Sequence, residues 1–509
     1  MATLSVAAVL AENARRRPDK EALVEGDLRL TFGEVWRRAR AQAGALVGLG
    51  VRPGERVALM APNTADFPQA YYAIAAAGAV VVPVHLLLSA AEVEHVLRDS
   101  GATLLLCHPA QARTGAAAAR EAGVRTLTLG EEFGGLAADA EPLTSYVTRD
   151  ADDPAVVFYT SGTTGVPKGA VLSHFNLVMN ATVNAFDAND IRPDDVALGA
   201  LPLFHAFGQT VSLNSTWRAG ATLVLLPRFD AGRAIELMVR EKVNTFHGVP
   251  TMFVALAAAA ADAGALPGLR VCVSGGASLP VAVLERFEEA FGARIYEGYG
   301  LSETSPAAAV NQPAFGARPG TIGHPLWGVD VEIARSETED AVELLPPGEL
   351  GEVVVRGHNV FSGYLGRPEA TAEALVDGWF RTGDLGTKDG DGFLRIVDRK
   401  KDVIIRGGYN VYPREVEEVL ARHPGIAQVA VIGLPDDLHG EEVCAVVVPA
   451  QGSAPDAREV TEWSKERLGR HKYPRRVEFA DALPLGPSMK VLKRELRARY
   501  ADRPVTVTG

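Results

Sequence analysis

Cysteine is scarce in this 509-residue chain, which has only Cys107, Cys272 and Cys444. They lie far apart in apolar, strand-like surroundings, with no CxxC pair and no metal-ligand spacing. That excludes a disulfide framework and a zinc ribbon, and leaves three small core residues of a reducing compartment. Positive charge is also short: 51 Lys and Arg stand against 63 Asp and Glu, a formal net charge of −12. General nucleic-acid binding is thereby excluded, since many phosphates would have to be neutralised at once. No uninterrupted hydrophobic run is long enough to span a bilayer. The nearest, Tyr71–Ala91, is broken by Gly78, Pro83 and His85, and reads as a buried helix, a turn and a strand. Met1–Ala11 is apolar, but the basic cluster Arg15–Arg17 follows it instead of preceding it, so a cytoplasmic protein is expected. Internal repeats and long low-complexity tracts are missing too.

What is present is the texture of a large α/β protein, too long for one core. Phe32–Leu49 has the apolar period of a helix, Arg56–Met60 is a short apolar strand, Phe67–Ala77 a helix and Val80–Val84 a strand. The alternation returns at Thr222–Leu226, Ala234–Lys242, Thr245–Val249 and Leu269–Ser274. Such alternation predicts stacked α/β layers with largely parallel sheets. After about residue 330 the pattern changes. Glu349–Arg356 and Phe393–Val397 are strand-like pieces between glycine-rich turns, which predict a small β unit. The charged run from Asp398 to Asp402 marks a boundary, giving a large N-terminal domain over residues 1–398 and a small α/β domain over 399–509. In the small domain, Pro413–Arg422 carries a helix start signal, one apolar face (Val416, Val419, Leu420) and Pro424 as a stop.

The strongest chemical signal runs Tyr159-Thr160-Ser161-Gly162-Thr163-Thr164-Gly165-Val166-Pro167-Lys168-Gly169. Its inner glycines let the backbone approach a polyanion, its hydroxyls donate, and Lys168 adds a charge, so the loop suits a triphosphate. It directly follows an apolar strand, Ala155–Phe158, which argues against an ordinary surface turn. GxxxxGK[ST] is not matched, and a P-loop ATPase is disfavoured. A second cluster, Glu297-Gly298-Tyr299-Gly300, leads to Glu303. Tyr299 offers a flat face for a base, and Glu303 an oxygen ligand for Mg²⁺. Taken alone, a tyrosine and a glutamate in a turn are more often structural. In the third, Arg381-Thr382-Gly383-Asp384, the carboxylate of Asp384 suits the two hydroxyls of a ribose, although Asp after Gly commonly marks a plain turn. Asp398-Arg399 with Gly407-Gly408, and Gly486 to Lys493 around Lys490, complete the set.

In this order the five motifs resemble the adenylate-forming superfamily of acyl-CoA synthetases, adenylation domains of peptide synthetases, and luciferases. The similarity runs from Thr31 to Arg497. It is nearest to the fatty acyl-CoA ligases, through His247-Gly248-Val249-Pro250-Thr251, Val273–Ala277 and Val397–Val416. The resemblance implies ATP, Mg²⁺ and coenzyme A as cofactors and a carboxylic acid as substrate. It implies that Thr160 to Lys168 hold the ATP phosphates, with Thr160 and Glu303 at the metal. Gly276, Ala277 and Glu297 to Tyr299 would enclose adenine, and Asp384 and Arg399 would bind ribose. Lys401 falls at a hinge about which a mobile small domain turns, and Lys490 matches the lysine that bridges carboxylate and α-phosphate. Gly407 and Gly408 would line a passage for the pantetheine arm. At Met489 the chain departs from the glycine that the family usually has before this lysine.

The acyl pocket is expected among Leu203–Gly208, His247–Phe253, Val273–Ala277 and Gly300–Pro306. Its candidate walls are Phe207, Val249, Thr251, Val273, Ala277 and Gly300. Asp, for a substrate ammonium, and Arg, for a second carboxylate, are missing from the first three of these segments. A hydrophobic acid is therefore expected, either a medium or long chain or a bulky ring acid. His205 is placed either where thiol and acyl group meet or as a structural histidine of a proline-rich turn. Transfer of the acyl group to a carrier protein is the alternative to free coenzyme A. The insertion that carrier-loading relatives tend to have is not seen before Asp398. A non-catalytic nucleotide-binding relative is a further alternative, resting on Met489 alone. The oligomeric state is left open.

Overall fold

The helix Asp66–Ala76 is apolar on every side, and Phe67 to Ala76 are all buried. A helix of that kind needs cover all round. Two large sheets provide it, one on either side of a shared core that also takes in the helix Phe32–Gly48. Thr31 starts that second helix with a capping box: its hydroxyl accepts from Glu34 N while the Glu34 carboxylate accepts from Thr31 N. The computed structural model describes residues 2–160, 167–486 and 491–501.

Among the described residues the first sheet runs Gly363–Tyr364, Lys168–Ser173, Pro154–Thr160, Val80–Pro83, Arg56–Met60, Leu104–Cys107, Arg125–Thr128. The second runs from His324–Pro325 through Ala307–Val310, Ile295–Gly300, Val271–Ser274, Thr245–Gly248, Val196–Gly199 and Thr222–Leu225 to Glu21–Glu25 and Leu28–Thr31. Their central strands are parallel, as βαβ alternation requires. Tyr71–Ala91 resolves into the end of the buried helix, a turn at Gly78 and the strand Val80–Pro83. No described helix is long and apolar enough to cross a membrane.

The β unit after residue 330 is an antiparallel sheet of Val329–Ala334, Gly351–Gly357, Trp379–Lys388 and Leu375–Val376, with Leu394–Arg399 also paired to Trp379–Lys388. The chain leaves this sheet at Arg399, makes one short turn at Lys400–Asp402, and enters a fourth sheet at Ile404. That last sheet has its own core of Ile404, Val416, Leu420, Val431, Val443 and Val460. The helix Pro413–Leu420 has proline at its start and buries Val416 and Leu420. Contacts of the small domain with the large one include hydrogen bonds between side chains and backbone. Glu418 accepts from Val281 N, and Arg286 donates to Ala421 O.

Candidate active site

Between the two domains lies a cavity of about 1970 Å³ whose walls come from the first three sheets and from the small domain. One end of it is set by an antiparallel pair. The strand Pro154–Thr160 and its return Lys168–Ser173 place Thr160 directly opposite Lys168. Ser161, Gly162, Thr163, Thr164 and Gly165 lie outside the described residues. Thr160 Oγ1 is 3.4 Å from Glu303 Oε1, which also accepts from the Tyr364 hydroxyl at 3.0 Å. Lys168 Nζ sits over the Tyr364 ring, 5.3 Å from its centre. Burial and the Glu303 charge hold the Tyr364 phenol protonated far above its ordinary range, so it acts as a donor to the carboxylate. Tyr364 has no signature in the sequence. It arrives because Gly363–Tyr364 adds an edge strand to Lys168–Ser173.

A second wall carries a three-residue cluster. The Tyr299 hydroxyl donates to Asp384 Oδ2 at 2.6 Å, and Arg399 Nε lies 3.0 Å from Asp384 Oδ1. Asp384 and Arg399 are direct cross-strand partners. Asp384 is therefore strand, in Trp379–Lys388, where the local composition reads as a turn. The turn-like signal is Gly383, whose φ of +72° admits a backbone form that other residues rarely take. Glu297 to Gly300 are likewise strand. At Gly300 an added Cβ would stand 1.7 Å from Pro306 O, so no side chain fits there. Gly276, Ala277 and Gly298 line the same cavity.

Glu297 is buried, with Oε1 accepting from Leu279 N at 3.1 Å and Arg414 Nη2 3.8 Å away. Burial pushes its carboxyl up to about 7, against Arg414 and the Leu279 N–H, with Glu418 adding to the rise. The proton is thus held more tightly in the folded protein than in the unfolded chain, where the carboxyl has its ordinary 4.5. The stabilisation is complete below that value and is lost as pH rises through 7. Glu297→Gln keeps an acceptor for Leu279 and removes the titration. Relative to the parent, the variant should gain up to about 3 kcal/mol between pH 5 and pH 8. Parallel melting temperatures of the two proteins across that range would refute the assignment.

Phe207, Thr251, Val273, Ala277 and Gly300 line another part of the cavity, and His205 borders it, its Nδ1 facing the Phe207 N–H at 3.4 Å. Val249 is not on the cavity wall. It precedes the helix Pro250–Ala259 and packs into the separate core of Phe246, Met252 and Phe253 behind the second sheet. Gly407 and Gly408 are not on the wall either. They form the hairpin tip between Ile404–Arg406 and Tyr409–Val411. Their φ values of +57° and +83° explain the glycines, since a Cβ on Gly408 would meet nothing within 4 Å. Lys401 is an exposed residue on the wall, its ammonium pKa lowered first by partial desolvation and then by Arg399. Lys490 lies outside the described residues. Its flanks, Gly486 and Val491, both border the cavity, and Leu485 bridges to Val491.

Residues 10–365 match the family model described as AMP-binding enzyme, and residues 415–490 that of the AMP-binding enzyme C-terminal domain. The chain is 43% identical over 492 residues to a feruloyl-CoA synthase of Amycolatopsis sp, covering 96% of this chain and 97% of that one. It is 35% identical to a long-chain-fatty-acid–CoA ligase of Bacillus subtilis (strain 168), covering 96% and 93%. Among solved structures, ATP-bound MatB from Rhodopseudomonas palustris superposes with a TM-score of 0.90 at 34% identity, covering 97% and 99%.

Proposed function

The chain belongs to the AMP-binding enzyme family, and from that membership we propose that it joins a hydrophobic carboxylic acid to coenzyme A through an acyl-adenylate. One observation carries this reading. A single cavity connects the phosphate anchors Thr160 and Lys168, the ribose pair Asp384 and Arg399, and a limb walled by Phe207, Thr251, Val273 and Ala277. Acid, α-phosphate and ribose can therefore be held in line.

The chemistry sets the demand. An anionic carboxylate must attack an anionic α-phosphate, and the main barrier is charge repulsion, which preorganised cations lower. No nucleophilic side chain is needed, since the substrate attacks and pyrophosphate leaves. Lys168 answers for the phosphates beyond the α position, and Lys490 for the carboxylate and the α-phosphate. Asp384 and Arg399, already fixed to each other, orient the ribose. Thr160 and Glu303 present hard oxygen donors on one spot, which fits Mg²⁺; when bound, the ion would screen the triphosphate charge. The thiol of coenzyme A then displaces AMP, a step for which Lys490 is in the way. We assign the rearrangement to the small domain (residues 399–509), turning at Lys401.

A pyrophosphate-release assay and a thioester assay with a panel of acids, offering coenzyme A and a carrier protein separately, test the proposal. ATP- and coenzyme A-dependent thioester formation from an apolar acid is expected. Preference for an amino acid or a dicarboxylate, or a product formed only on the carrier, would overturn it.

A further inference from the structure

The acyl limb is not wholly apolar. Asn184, just after the helix His174–Val183, is only 3% exposed, and it borders the cavity. Its Nδ2 donates to Asn180 O at 2.8 Å and to Asn180 Oδ1 at 3.0 Å. Asn180 is itself fixed: its Nδ2 donates to Ala307 O at 2.8 Å, and its Oδ1 faces Ala307 N at 3.3 Å. Turning the Asn184 amide round would set its oxygen against two acceptors, so the network allows one orientation. The Asn184 carbonyl is also tied, accepting from Asn189 Nδ2 at 2.9 Å. That leaves Asn184 Oδ1, which accepts from no described group. Nor is it one of the sealed-off polar atoms, as Ser274 Oγ and both His247 ring nitrogens are.

An acceptor that is rigidly held, without a donor among the described residues and set on the cavity wall takes its donor from the ligand. The surroundings suit a flat group. The segment Phe207–Asn214 packs on His174–Val183, and the Phe207 ring lies so close to Gly275 that an added Cβ would stand 3.1 Å from it. We infer that the acid is aromatic and carries a hydroxyl group, whose proton is donated to Asn184 Oδ1. This rests on reading the cavity as the acyl site, and makes Asn184 a residue that determines specificity.

The test compares kcat/KM, with coenzyme A, for cinnamate, 3- and 4-hydroxycinnamate and 4-methoxycinnamate. The methoxy group fills similar space but donates nothing. The better hydroxycinnamate should exceed cinnamate by about tenfold, the factor provided by a neutral hydrogen bond of ordinary net strength, and 4-methoxycinnamate should fall below both. In Asn184→Leu the hydroxy-to-unsubstituted ratio should drop to about one. Because both acids are measured on the same enzyme, partial loss of folding cancels, and the order of acids on the parent protein stands without any variant. Equal use of cinnamate and the hydroxycinnamates, a methoxy acid as good as the hydroxy acid, or an unchanged ratio in Asn184→Leu overturns the inference. In each of those cases, pyrophosphate release and thioester formation with any of the acids leaves the proposed function standing. Thioester formed from straight-chain acids alone also overturns the inference and spares the function.

Discussion

Lys490→Ala should lose on the order of 10²–10³ in the rate of pyrophosphate release while nearly keeping thioester formation from supplied acyl-adenylate. One preorganised cation opposite two anions that must approach each other carries an effect of that size, and only the first half-reaction brings two anions together. Gly486 and Val491, the described residues on either side of this stretch, line the cavity. Lys401→Pro should do the reverse. Lys401 lies in the short turn Lys400–Asp402 that separates the third sheet from the fourth, and proline would fix its φ in one pose. Pyrophosphate release should survive and thioester formation should fail. Equal losses in both steps for Lys490→Ala, or both steps intact in Lys401→Pro, would remove these roles.

Glu303→Gln should lower pyrophosphate release on the order of 10²–10³-fold, by analogy with the loss of one preorganised oxyanion-hole donor. The substitution keeps the volume and the hydrogen bond from Tyr364 but withdraws the charge from the oxygen that Thr160 and Tyr364 converge on. The Mg²⁺ concentration needed for half-maximal rate should rise with it, because a neutral amide is a poor ligand for a hard divalent cation. Tyr364→Phe removes only the hydroxyl that orients the carboxylate, and should cost about tenfold or less. A Glu303→Gln enzyme that saturates at the parent's Mg²⁺ concentration would show that Glu303 does not face the metal.

Much of the site is legible along the chain because its chemistry is local. A loop for a polyanion needs glycines, hydroxyls and a lysine within a few residues, and Thr160 to Lys168 supply them in one stretch. The parallel layers are equally local, since helix and strand periods are written into segments such as Phe32–Gly48 and Arg56–Met60. Val249 shows where this fails. A segment's apolar character is visible in sequence, but the side of the sheet it packs on is not. Val249 enters the core of Phe246 and Phe253 instead of the cavity.

By itself, then, the sequence determined the α/β layering, the separate small domain after the charged run, and the motifs that belong to an adenylate-forming enzyme. Only the tertiary structure decided which of those motif residues meet. Tyr299 and Asp384, 85 residues apart, share a hydrogen bond because two sheets converge at the cavity, and Tyr364 reaches Glu303 through an added edge strand. Asn184 is the clearest case. An asparagine's value to a ligand depends on which of its polar atoms the fold has already used, and Asn180 takes both amide hydrogens while leaving the oxygen open. Composition and spacing hold no record of such hydrogen-bond partners, because these are set by elements that pack together from distant parts of the chain.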